Sequence, residues 1–260
     1  MNTRKLTLGA RSLYEKTVNS YCYNPYCDME ELFRKHRALI ERDDYSANNL
    51  WVEHLENDLM KFWMKPAVQD MSKGLFRSFI TDDGTPLPGL DAVSEWPPEL
   101  QRAIQKTPEG AYTAEAGELL EGPDKNADYN FVRSHSRQVF AYGIAFHITG
   151  KREYFDLCKK GAEALLALID ADGSMLTRQL QASGAWVTDD KDKRTSQDLA
   201  YGMTGIGFYY YLTHDQAALK KILLLKNYIF NEYYHPGKDM FTWLPSRDRS
   251  PQQSAELVSH

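Results

Sequence analysis

The chain has 260 residues, 42% of them hydrophobic, which is enough for one large core or two small ones. A net charge of −5, with both signs well mixed and no dense Lys/Arg run, excludes a phosphate backbone as the expected partner, so no nucleic acid is called for. Residues 1–11 begin basic but lack the apolar stretch of a secretory leader, and no segment approaches a membrane span, so no membrane is expected and the protein is read as cytoplasmic.

Residues 1–45 read as an N-terminal helical arm, with helices around 5–20 and 29–42. Between them Cys22 and Cys27 stand without a histidine or a second cysteine pair at zinc-ligand spacing, so free thiols and no metal are expected. The main domain is expected to run over 46–245. Its first helix carries the stripe Trp51, Leu55, Leu59, Phe62 and Trp63 and ends before Pro66, which cannot continue a helix. A glycine turn follows at Gly74, then a Pro-, Gly- and Glu-rich excursion over 86–128, a length that in compact domains is either a lid or a solvated loop.

From Ser134 to Thr149 the chain predicts a helix that opens polar and then turns apolar and aromatic on all sides before stopping at Gly150. The helix after it is built differently. Phe155, Cys158, Ala162, Leu165, Leu166 and Ile169 form one stripe, with Lys159, Lys160 and Glu163 on the other side. About 64 residues after the first of these helices the plan repeats. Arg194 to Thr213 is apolar all round and stops at His214, and after Asp215, an N-cap residue, comes a half-polar helix with Leu219, Ile222, Leu223, Ile229 and Phe230. Each half-polar helix is followed by a turn of one type, at Asp172-Gly173-Ser174 and at Pro236-Gly237, matching the turn at Gly74. Three such loops at one end would form a rim with short β or loop segments, where sites gather. The tail 246–260 has no periodicity and little to bury, so disorder is expected there.

A first helix enclosed on every side and a second that covers it from outside fit a closed ring of helical hairpins better than an up-down bundle. The expected fold class is therefore all-α, an α/α toroid. The motifs Leu55 to Trp63 with Asp70 and Gly74, then Ser136-Arg-Gln-Val-Phe140, then Gln197-Asp-Leu-Ala-Tyr201 with Tyr210 to Thr213, resemble in order the N-terminal half of the N-acylglucosamine 2-epimerase superfamily, which includes cellobiose 2-epimerases and mannose isomerases. The resemblance covers residues 51–243. It implies a six-hairpin α/α barrel and a sugar 2-epimerase or aldose-ketose isomerase that moves a proton through an enediolate. A small-molecule sugar would be the ligand, with no cofactor.

By the same resemblance Arg137 matches an arginine that contacts substrate, and Gln197, Asp198 and Tyr201 fall in the matching stretch of the next inner helix, Gln197 standing where the family often has Tyr. Asp198 also serves as an ion-pair partner for Arg137 or as the acid favoured at a helix start. The acid/base histidines of the family sit on later inner helices, which would lie beyond His260; within the chain only His135, beside Arg137, is singled out. The helices that can be placed are fewer than half of those a ring needs. The expectation is an incomplete barrel: a fragment, a shifted reading frame, or a half ring completed by a second chain, for instance as a homodimer. The alternatives are a glycoside hydrolase or unsaturated-uronide hydrolase using Asp198 with Glu118 or Glu121, and a non-catalytic half barrel that binds carbohydrate or a partner.

Overall fold

The fold was obtained as a computed structural model and is described for residues 52–87, 94–96, 98, 101, 128–188, 193–245 and 257–258. The described residues are mostly helical, with a few short strands. Helix α1 (Met60–Trp63) continues a π turn at Leu55–Leu59. Two long hairpins follow. Helix α2 (Val132–Thr149) turns back into α3 (Arg152–Ala167), and α4 (Ser196–Thr213) into α5 (Gln216–Tyr233). Strands β1 (Tyr129–Phe131) and β2 (Arg178–Leu180) pair antiparallel, with Asn130 opposite Gln179. Strands β3 (Tyr234–His235), β4 (Met240–Thr242) and β5 (Leu257–Val258) form a second antiparallel sheet. The β5 pair belongs to the tail expected to be disordered. The arm 1–45, Trp51 and most of the 86–128 excursion lie outside the described residues.

The repeat read in the sequence is a repeat of local chemistry. Thr149 donates its hydroxyl to the carbonyl of Ala145 and accepts from the Lys151 N–H, while Thr213 does the same with Tyr209 and Asp215. Each threonine hydroxyl back-bonds to the carbonyl four residues before it and receives the N–H two residues on, tying the helix end to the turn. Each next residue then takes the left-handed conformation, Gly150 at φ 68° and His214 at φ 54°. Asp215 caps α5 by accepting from the N–H groups of Ala217 and Ala218.

Packing agrees with the sequence for α3 and departs from it elsewhere. Phe155, Cys158, Ala162, Leu165 and Ile169 are all in the core. In α5 the buried positions are Ala218, Leu225, Ile229 and Tyr233, whereas Leu223 and Phe230, expected inside, are about half exposed. The apolar run Ile222–Leu225 fits two faces, so it does not fix which one turns inward. Before α1 the π turn inserts an extra residue per turn and rotates the stripe: Met60 is buried and Leu59 exposed.

The inner helices are also not enclosed on every side among the described residues. On α2, Arg137, Phe140 and Ile148 are exposed, and on α4, Ala200 and Thr204 are. An all-round apolar composition says that a helix gains from cover, not what covers it.

Helices α2 and α4 lie close because small residues meet where they cross. The Gly205 N–H donates to Ser136 Oγ at 2.8 Å, and that hydroxyl donates to the Gly202 carbonyl at 3.1 Å. A Cβ on Gly205 would stand 2.7 Å from the Ser136 carbonyl oxygen, so no side chain fits there.

Candidate functional site

The three glycine-turn loops gather at the N-terminal ends of α2 and α4. The first is tied down by His135, whose Nδ1 accepts from the Phe76 N–H, and by Asn130, whose Oδ1 accepts from the Ser78 N–H. The second supplies the Thr177 carbonyl to the Val132 N–H and the Met175 carbonyl to the buried Arg194. The third gives the Trp243 carbonyl to the Ser196 N–H. Side-chain amides lace the first two together: Gln179 donates to the carbonyls of Lys73 and Gly184, Gln181 to that of Leu87. The result is a fixed rim above an open helical face.

On that face Arg137 and Tyr201 come together. The guanidinium carbon lies 4.3 Å from the centre of the phenol ring, a cation–π contact between α2 and α4. Asp198 does not pair with Arg137. Its Oδ2 accepts from the Thr195 hydroxyl at 2.7 Å, its N–H donates back to that hydroxyl, and its Oδ1 stands 3.9 Å from Nη1 of Arg133. Asp198 is thus part of the α4 cap as well as the counter-charge of Arg133. Further along, Phe140 meets Phe208 edge-on at 4.9 Å, and Phe208 and Tyr211 both stand against His147. Gln197 is placed elsewhere on α4, in a cleft of about 260 Å³ between Ala200 and Met203 on one side and Phe230 and Phe241 on the other.

His135 is a strut. It is fully buried and stacked on Phe76 at 4.7 Å. With Nδ1 accepting, Nε2 carries the proton and donates to the Gly161 carbonyl at 2.9 Å. Burial pulls its pKa down to about 4, so the ring is neutral in the fold. Burial also lowers the pKa of His147 and His214. Among the described residues no second carboxylate stands beside Asp198 in the way a hydrolase pair requires, and Glu118 and Glu121 lie outside them. Among the described residues no cluster of three or more His, Cys, Asp or Glu is placed to hold a metal ion, and no helix is long and apolar enough to cross a membrane.

Sequence reasoning had picked Arg137 and Tyr201 but not their setting. Arg133, one turn before Arg137, and Thr195, three residues before Asp198, carried signals in the i,i+4 spacing and in the N-cap pattern. Phe140 and Phe208 were concealed by the assumption that every aromatic of these helices is buried. No family model matches the sequence, and no curated protein matches it.

Proposed function

We propose that the exposed face of α2 and α4 binds a carbohydrate, and that the chain is an epimerase- or isomerase-like domain of the N-acylglucosamine 2-epimerase kind. On this reading the two hairpins are neighbours in an α/α toroid and their shared face lines its interior. The observation that carries the proposal is Arg137 laid on Tyr201 on an exposed helical surface, with Phe140 and Phe208 beside it. Guanidinium N–H groups donate to sugar oxygens, and aromatic faces take the apolar side of a pyranose. The reaction would remove the proton beside the carbonyl of the ring-opened sugar and return it to the other face or to the neighbouring carbon. That needs an acid and a base with pKa values near neutrality. His135, neutral and sealed, is not suited to either role, so the described face supplies binding. The test is incubation of mannose, N-acetylglucosamine and cellobiose with the chain in D2O: deuterium entering at C2 supports catalysis, whereas saturable binding without exchange leaves a carbohydrate-binding domain.

A second reading, a face buried against another copy of the chain, is favoured by one comparison. At the repeat offset, Ser136, Val139 and Gly143 of α2 correspond to Ala200, Met203 and Gly207 of α4. A Cβ on Gly143 would strike the Phe208 ring at 2.5 Å, whereas one on Gly207 would meet nothing within 4 Å. The face by which α2 receives α4 is therefore repeated on α4, where Ala200 is exposed and no atom stands within 4 Å of a Cβ on Gly207. In an antiparallel two-fold pairing, Met203 of one copy would sit over Gly207 of the other and Tyr210 over Ala200. Sedimentation separates the readings: a dimer weakened by Met203→Glu supports this one, and a monomer at all concentrations removes it.

A further inference from the structure

Resting on the carbohydrate reading above, we infer that the sugar taken at this face carries a negative charge, a carboxylate or a phosphate, received by Arg137 with Arg133 beside it. The two arginines lie one turn apart on α2, an arrangement of like charges that costs a few tenths of a kcal/mol on a helix when nothing compensates it. Among the described residues one carboxylate, Asp198, stands against the two guanidinium charges, in a chain whose net charge is −5. That carboxylate is committed on the Arg133 side: Oδ1 faces Arg133, and Oδ2 holds the Thr195 hydroxyl. Among the described residues none places a carboxylate against Arg137.

The Arg137 guanidinium carbon stands over the Tyr201 ring at 4.3 Å, and the group is exposed. The N–H donors of a guanidinium lie in the plane of the group, in the fork that matches two oxygens of a carboxylate or phosphate. Neutral hydroxyls also accept from such a fork, but charge-assisted bonds are about twice as strong. The contact with the ring restricts the Arg137 side chain before any ligand arrives, so less side-chain freedom is lost on binding. Phe140 and Phe208 extend the apolar side of the same surface. The ligand class these features select is an anionic monosaccharide with one apolar face.

The experiment is titration of the full chain with glucose, glucuronate and glucose 6-phosphate, followed by calorimetry and by ligand-observed NMR, at 20 mM and 500 mM salt. At least one anionic sugar is expected to bind about tenfold or more tightly than glucose at low salt. The gap should close at high salt and in Arg137→Met, and Arg137→Lys should keep part of it, because it keeps the charge and loses the fork. Arg137 is exposed, and an unchanged thermal midpoint in both variants confirms that the fold is intact. Whichever anion binds tighter identifies the group. Equal binding of all three sugars would overturn the inference while leaving the carbohydrate reading in place. Binding of none of the three, with a neutral panel of mannose, N-acetylglucosamine and cellobiose also silent, would remove both.

Discussion

Two glycines of one helix separate the packing argument from simple helix propensity. Gly205 and Gly207 both lie inside α4, so changing either to alanine gains about 0.5–1 kcal/mol from reduced backbone freedom. At Gly207 the new methyl meets open space and the gain stands. At Gly205 it would come within 2.7 Å of both the carbonyl and the hydroxyl oxygen of Ser136 and 3.1 Å of Val139 Cβ. A backbone oxygen cannot rotate away, so α2 and α4 must part. Overpacking of this kind costs about 1–3 kcal/mol, and lengthening the Gly205–Ser136 hydrogen bond about 1 more. The net expectation is a loss of about 2 kcal/mol for Gly205→Ala and a gain of up to about 1 for Gly207→Ala. For a chain of this size that is a thermal midpoint about 4–8 °C lower in the first and about 1–3 °C higher in the second, read by circular dichroism at low protein concentration. If both variants rise together, Gly205 is not pressed against α2 and the account of the helix crossing is wrong.

His135 predicts an acid limb in stability. Its pKa of about 4 in the fold lies below the ordinary 6.5, so the unfolded chain binds the proton first, and stability is full above pH 6.5 and falls by about 3 kcal/mol between 6.5 and 4. Urea titrations from pH 7.5 to 4 should show this limb in the native chain, and a folded His135→Gln variant should lose about 3 kcal/mol of it, keeping only the part that His147 and His214 supply. Cys158 is buried with its thiol pushed up to about 12, so iodoacetamide should leave it unmodified at pH 8 and reach it only in denaturant, as mapped by peptide mass spectrometry. Asp215→Ala removes the cap of α5 and should cost about 1 kcal/mol by chemical denaturation, whereas Asp215→Asn should cost much less.

The hairpins were legible because their ends are written in local chemistry. A threonine that back-bonds to its own helix, followed by a residue able to enter the left-handed region, marks a stop at Thr149-Gly150 and again at Thr213-His214. The α3 stripe was legible because charged residues leave it only one inward face. The α5 face was not, since Ile222 to Leu225 offers no polar residue to set the register. The π turn at Leu55–Leu59 escaped because nothing in its composition requires it.

In the site, Arg137 and Tyr201 were named from a resemblance, but their meeting depends on how far α4 is rotated against α2. That rotation is set by Ser136, Gly202 and Gly205, not by the site residues. It is also why Asp198 pairs with Arg133 where Arg137 had been expected. His135 shared its neighbourhood with Arg137 in sequence only; on a helix two residues separate by about 200°, which turned one into the core and the other out.

The central claim is that the α2/α4 face binds a sugar through Arg137 and Tyr201. The most direct test is saturation-transfer NMR of the native chain, Arg137→Ala, Tyr201→Ala and the distant control Lys220→Ala against a panel holding the neutral and anionic sugars named above. The account predicts a saturable signal from at least one sugar in the native chain and the control, and its loss in both site variants while their thermal midpoints hold. A signal that survives both substitutions, or no signal from any sugar, would contradict it.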